Sequence, residues 1–255
     1  MSGTVHFSRR GAHVAVLEID NPPVNALSHD VIAAFTTHLD VIEADEALWV
    51  IVLAGRGSRF CAGADLNEVR QTIHGAPSRS EGGVLPLLNR IEALRMPVIA
   101  AIRGACVGGG LELALRCDLR IATEDARFAC PGVNLGVVYS AYRLPRLIGV
   151  ARAKQMLLTG SLIDATTAHS FGLATAICSA DELLEQAFGL ADRVATRAPL
   201  AVEAAKRVVG VALDLDPEEG FRFEQKEQDL LRNSNDRKEA VDAFLNKREP
   251  VFKRM

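Results

Sequence analysis

Apolar and polar residues alternate from Val14 to Asp20, which predicts a strand. Asn21-Pro22-Pro23 ends it, because proline has no N–H to give a ladder. Ser28 stands as the N-cap of a helix running to about Glu43, with Val31, Ile32, Phe35, Leu39 and Ile42 on one face. Leu48–Ala54 is an apolar run of strand length closed by Gly55-Arg56-Gly57, and Asp65 is placed to cap a short helix. Gly75–Gly83 carries the turn-forming composition of a flexible segment. Beyond it the pattern predicts a helix to Leu94, a strand at Pro97–Ile102, a helix from Gly109 to about Arg116 and a strand near Leu119–Ala122.

From Ala151 onward the periodicity is almost entirely helical. Asp164 caps one predicted helix, and Ala180–Arg197, Leu200–Leu213, Pro217–Arg232 and Asp236–Arg248 supply the rest. Strands alternating with helices imply an α/β core with parallel pairing. No fixed-period repeat is visible. The expected organisation is a core over residues 1–199 followed by a helical region over 200–255.

Composition narrows the functional classes. The chain has 255 residues, 49% hydrophobic and 24% charged, enough for a substantial core. A net charge of −3 offers no basic field for nucleic acid or anionic lipid, so a polyanionic ligand has to be held by local contacts. No segment has the roughly 18–20 uncharged apolar residues of a membrane span, and the N-terminus lacks the order of a signal peptide. The five cysteines are odd in number and include no C-x-x-C pair, which argues against a disulfide framework or zinc cluster and for a reducing, cytoplasmic setting.

Two stretches carry candidate chemistry. In Ala54–Asn67 a buried strand gives way to glycines and small residues that lead into a helix; Ile102–Ala114 repeats that order of strand, glycines and helix. Such junctions present free backbone N–H groups at the positive end of a helix dipole, and glycine lets a ligand come close to the backbone. Neither is a phosphate cradle, since neither fits G-x-x-x-x-G-K-[ST] or a complete G-x-G-x-x-G unit. Glu112, three residues after Gly109 and one helical turn on, is placed to face the same cavity and exchange protons there. Cys61 has no histidine near it in sequence and reads as a small buried residue rather than a nucleophile. The six histidines lack ligand spacing, and His169 reads as structural.

Phe60-Cys-Ala-Gly-Ala-Asp-Leu66 followed by Gly104-Ala-Cys-Val-Gly-Gly-Gly-Leu-Glu112 resembles the crotonase (enoyl-CoA hydratase/isomerase) superfamily, and the likeness extends over nearly the whole chain. Asn25-Ala26-Leu27, Cys117-Asp118-Leu119 with Arg127-Phe128, and the C-terminal stretch Asp236–Pro250 also match it. The resemblance implies a spiral of ββα units with C-terminal helices that pack trimers or dimers of trimers. It implies an acyl-CoA thioester substrate, no metal or redox cofactor, and an oxyanion hole formed by the N–H groups of Ala62 and Gly109. Val24, Ala26, Ala64 and Leu66 match positions lining coenzyme A, and Asp65, Gly108, Pro131 and Gly132 complete the implied substrate contacts. Glu112 corresponds to the first of the two hydratase glutamates.

The second glutamate is missing. Hydratases of this family carry Pro-Glu where this chain has Pro131-Gly132, and the family's following Pro-Gly-Ala-Gly-Gly run is replaced by Val138-Tyr-Ser-Ala-Tyr-Arg143. Losing a positioned acid typically costs about 10²–10⁴ in rate, so efficient hydration is not expected. Val133-Asn-Leu-Gly-Val-Val-Tyr139 instead resembles methylmalonyl-CoA decarboxylases of the superfamily, which lack the second glutamate and have a tyrosine matching Tyr139; they also have a histidine where this chain has Ala64. The expectation is an enoyl-CoA hydratase-like lyase with malonyl-type decarboxylation, isomerisation and silent acyl-CoA binding as alternatives. Arg143, Arg146 and Arg152, and Lys247, Arg248, Lys253 and Arg254 from a neighbouring subunit, are candidate partners for coenzyme A phosphates, with solvated surface charge as the other reading and the favoured one for the C-terminal four.

Overall fold

The computed structural model describes residues 3–75 and 83–255, so most of the predicted flexible segment lies outside the described residues. In chain order the elements are β1 Thr4–Arg10, β2 Val14–Asp20, α1 His29–Ala44, β3 Val50–Gly55, α2 Leu66–Ile73, α3 Leu85–Ala93, β4 Val98–Ile102 and β5 Ala105–Val107. They continue with α4 Gly109–Arg116, β6 Leu119–Thr123, β7 Arg127–Ala129, a 3-10 turn over Pro131–Leu135, α5 Arg143–Ile148, α6 Val150–Thr159, β8 Ile163–Asp164, α7 Ala165–Ser170 and β9 Ala176–Cys178. Four helices close the chain: α8 Leu183–Ala195, α9 Pro199–Val211, α10 Pro217–Arg232 and α11 Asn235–Leu245.

Six strands form one sheet in the order β1-β2-β3-β4-β6-β9, and three form a smaller one, β5-β7-β8. All pairings from β2 to β9 in the large sheet are parallel, while β1 is antiparallel to β2. The chain therefore winds from a strand in the large sheet to one in the small sheet and then a helix, as in β4-β5-α4. The central strands are apolar on both faces, as parallel strands covered on both sides must be. Leu17, Ile19, Ile51, Leu53, Ala100 and Ile102 face the core shared with α1 and α3. Their neighbours Val14, Val16, Val50, Val52, Ile99 and Ala101 pack under Leu183, Ala187 and Ala191 of α8.

Local signals placed several boundaries. Ser28 caps α1, with its side chain accepting from Val31 N, and Val31, Phe35, Leu39 and Ile42 are buried. Asp65 caps α2 and Asp164 caps α7. The region after Ala151 is less helical than its periodicity predicts, because it also holds β8 and β9. These short strands each complete a sheet edge, a tertiary role that two or three residues do not advertise.

Candidate active site

Three backbone segments run side by side. Phe60 N and Cys61 N donate to the carbonyls of Arg103 (2.7 Å) and Ala105 (3.0 Å), and Val107 N returns a bond to Cys61 O (3.1 Å). On the other flank, Ala62 N donates to Val24 O (3.0 Å) and Leu27 N to Gly63 O (2.7 Å). The loop holding Val24 and Ala26 is fixed by Asn25, which is buried at φ 55°. Asn25 Nδ2 donates to Arg56 O (2.9 Å) and Arg59 O (2.7 Å). The sequence offers Asn25 only as part of Asn25-Ala26-Leu27; its anchoring of this loop comes from the fold.

Glycine is needed where these segments meet. Gly63 has φ +97°, and a Cβ there would lie 2.7 Å from Gly109 N. A Cβ on Gly110 would lie 2.0 Å from Cys61 O. The two turns are thus pressed together, and the amide nitrogen of Ala64 comes within 3.3 Å of where a Cβ on Gly109 would be. Gly108 caps α4 at φ 60°, leaving Gly109 as the first residue of the helix, where no carbonyl of an earlier turn can receive its N–H.

This geometry corrects the expectation for Ala62. Its N–H is already used by the Val24 carbonyl. The amides of Ala64 and Gly109, by contrast, have no acceptor among the described residues, and Ala64 is exposed. Ala64 therefore moves from the ligand-lining set to the position of the free donor beside Gly109. Asp65 spends its carboxylate on the start of α2, accepting from Asn67 N (2.8 Å), and Leu66 is exposed at that helix's first position.

Glu112 lies on the first turn of α4 and is only 8% exposed. Its carboxylate accepts no hydrogen bond from the described residues; its nearest charged neighbour is Arg116, at 3.8 Å. Across from it, Tyr139 is half-buried with its ring against Gly132 and its hydroxyl toward Gly108: Cβ atoms built on those glycines would lie 2.9 Å from Tyr139 Cε1 and 3.2 Å from Tyr139 Oη. Burial first, then the nearby Cys130 and Glu112 charges, raise the Tyr139 hydroxyl pKa. Burial pushes the Cys130 thiol up to about 11 and the Cys61 thiol to about 12, so neither is an available thiolate.

Two cavities flank this centre. One, of about 320 Å³, is walled by apolar residues including Val137, Val138, Pro145 and Leu157 and reaches Gly132 and Tyr139. The other, of about 300 Å³, is lined by Leu27, Ala64, Asp65, Val69 and Ile73.

The candidate phosphate partners are largely committed elsewhere. Arg143 pairs with Glu92, Arg146 with Asp214, Arg248 with Glu239 and Arg254 with Glu203, while Arg152 lies over the Phe171 ring. His169 Nδ1 bonds the Ala174 carbonyl at 3.0 Å, a structural contact.

Comparison with known proteins settles the family. The profile of the family described as enoyl-CoA hydratase/isomerase matches residues 9–255. The chain belongs to this family. Among its relatives, the short-chain-enoyl-CoA hydratase of Clostridium acetobutylicum is 35% identical, with 92% of each chain covered. The 2,3-dehydroadipyl-CoA hydratase of Escherichia coli is 35% identical over 96% of each chain. The crystal structure of the enoyl-CoA hydratase from Bacillus anthracis superposes with a TM-score of 0.92 at 32% identity, covering 99% of this chain and all of that one. The crotonase fold and the placement among enoyl-CoA hydratase/isomerase enzymes follow.

Proposed function

We propose that this member of the family acts on acyl-CoA thioesters through a thioester enolate, with the Ala64 and Gly109 amides as the oxyanion hole and Glu112 as its single proton-transferring carboxylate. When the α-carbon of a thioester becomes carbanion-like, negative charge collects on the carbonyl oxygen. Two fixed N–H donors at that oxygen act without reorganising, and removing one such donor typically costs about 10²–10³ in rate. The observation that carries this reading is the pair of unpartnered amides brought together by Gly63 and Gly109, with Glu112 one turn along the same helix.

Coenzyme A is read as lying along the Val24–Ala26 loop and the Ala64–Leu66 segment, with the acyl group entering beside Gly108, Pro131 and Gly132. Hydration by two carboxylates is disfavoured, because position 132 has no acid and Tyr139 fills the space next to it. Proton transfer at the α-carbon, as in double-bond isomerisation, requires only the hole and Glu112. A second reading, decarboxylation of a malonyl-type thioester, is favoured by the Tyr139 hydroxyl at Gly108, which would face a departing carboxylate. The exposed Leu230, Phe244 and Leu245 of α10 and α11 support self-association through the helical region, as a trimer or hexamer.

Product analysis tests this. The protein is incubated separately with crotonyl-CoA, 3-butenoyl-CoA and methylmalonyl-CoA, and the acyl products are separated. Isomerisation or CO₂ release is expected to exceed hydration, and each to fall at least about 10²-fold in Glu112→Gln. Rapid hydration that survives Glu112→Gln contradicts it. Thioester binding with no turnover of any of the three favours a silent binder.

A further inference from the structure

Arg116 sits four residues after Glu112, on the same face of α4, and only 3% of its side chain is exposed. Its guanidinium is held from one side. Nη1 donates to Asn89 Oδ1 (2.6 Å) and Glu92 Oε2 (2.9 Å), both on α3. Glu92 is in turn fixed by Arg143 of α5, whose Nε and Nη2 lie 2.9 and 2.5 Å from its two oxygens. With one edge clamped, the planar fork presents Nη2 toward Glu112 Oε2 at 3.8 Å, an ion-pair distance longer than a hydrogen bond. Its Nε is buried without a partner among the described residues.

Buried arginine with a free N–H is costly unless the geometry serves something. Among the described residues, the remaining groups around the Glu112 carboxylate are Tyr139 and Cys130 from the segment after β7, with Arg143 farther off on α5, and Arg116 is the charge within ion-pair distance. The result is an alternating line, Arg143–Glu92–Arg116–Glu112, running from the half-exposed α5 to the site.

We propose that Arg116 is a positioning residue for the proton-transfer step. Anchored through Asn89 and Glu92, it fixes the orientation of the Glu112 carboxylate from 3.8 Å away, without itself touching the thioester. The inference rests on the proposed role of Glu112 and deepens it: a site with one carboxylate depends on how that carboxylate is aimed, because no second acid shares the work. A misaimed base loses rate while the binding surface is untouched, since positioning contributes through the transition state rather than through ground-state contacts.

The test is the exchange of the α-protons of butyryl-CoA for solvent deuterium, followed by mass spectrometry, which needs only enolate formation. Wild type, Arg116→Met, Arg116→Lys, Glu112→Gln and the Arg116→Met/Glu112→Gln double variant are compared, with butyryl-CoA affinity and thermal midpoint measured for each. Arg116→Met is expected to lower kcat for exchange by about 10–100-fold with KM within about twofold. Arg116→Lys should recover part of that loss, and Arg116→Met should lower the residual rate no further in the Glu112→Gln background. A loss in KM, a further loss in the Glu112→Gln background, or no loss at all overturns the proposal. Loss of folding in Arg116→Met transfers the same comparison to Glu92→Gln, which releases the clamp and is expected to lower kcat in the same direction; no change there overturns the proposal. Failure of wild type to exchange, with butyryl-CoA bound, instead overturns the enolate reading on which this rests.

Discussion

The ring of Tyr139 lies against Gly132 so closely that a Cβ at position 132 would sit 2.9 Å from Cε1 of the ring and 2.7 Å from the Val137 carbonyl oxygen. A side chain at position 132, where the family resemblance implies a second acid, would therefore require this segment to move. The chain between Gly132 and Tyr139 has folded into the space where an acidic side chain would start.

A single replacement should consequently fail to restore two-carboxylate hydration. Gly132→Glu is expected to destabilise the fold by about 1–3 kcal/mol, the usual cost of overpacking, and to leave crotonyl-CoA hydration low. Adding Tyr139→Ala should relieve the ring contact but leave that with the Val137 carbonyl, so hydration in the double variant should exceed that in Gly132→Glu alone. Thermal melts and hydration rates of the three proteins check this.

Gly63 separates catalysis from simple packing. Its φ of +97° and the 2.7 Å approach of a built Cβ to Gly109 N mean that Gly63→Ala pushes directly on the donor pair. Activity with any thioester substrate should fall by at least about 10². Gly57→Ala, also at positive φ but with nothing within 4 Å of its Cβ, should lower stability slightly and leave turnover near wild type. Parallel kinetics and melts of the two variants give the comparison.

The sequence marked much of this site. The two glycine turns, Glu112 and the caps Ser28, Asp65 and Asp164 are local signals, each written within a few residues, and all appear where expected. The resemblance put the first donor at Ala62, two positions before Ala64, and only the fold shows that the Ala62 N–H is taken by Val24, 38 positions earlier. The anchoring role of Asn25 and the strand β9 were not legible for the same reason, since their partners come from distant parts of the chain. Arg116 was legible in principle from its four-residue spacing to Glu112, but its clamp through Glu92 depends on α3 packing beside α4.

The C-terminus is tied to the core through a carboxylate, which makes it acid-sensitive. Glu203 on α9 accepts from Arg95 (2.9 Å) and from Arg254 near the chain end (2.8 and 3.2 Å). Burial pushes its pKa up, but the hydrogen bonds and charges of the two arginines together outweigh that and leave it below the ordinary glutamate value. A depressed folded-state pKa gives stability that is present above the unfolded value and lost as pH falls through the folded one. Glu203→Gln should therefore cost roughly 2–3 kcal/mol at neutral pH and reduce the difference from wild type below pH 4. Melting curves from pH 7 to pH 3 measure it.

All five cysteines are buried, and burial raises the thiols of Cys61, Cys106, Cys117, Cys130 and Cys178. A thiol reagent at pH 8 should label none of them in the folded protein and five after unfolding. Rapid native labelling of Cys61 would revive it as a nucleophile.

The central claim, enolate formation by the Ala64 and Gly109 amides with Glu112 as the base, is tested most directly by deuterium entry at the α-carbon of butyryl-CoA in heavy water. This reaction needs no particular product chemistry. Exchange well above the uncatalysed rate is expected in wild type, with a fall of at least about 10² in Glu112→Gln and butyryl-CoA binding unchanged. Bound butyryl-CoA without exchange in wild type, or equal exchange in the two proteins, would contradict it.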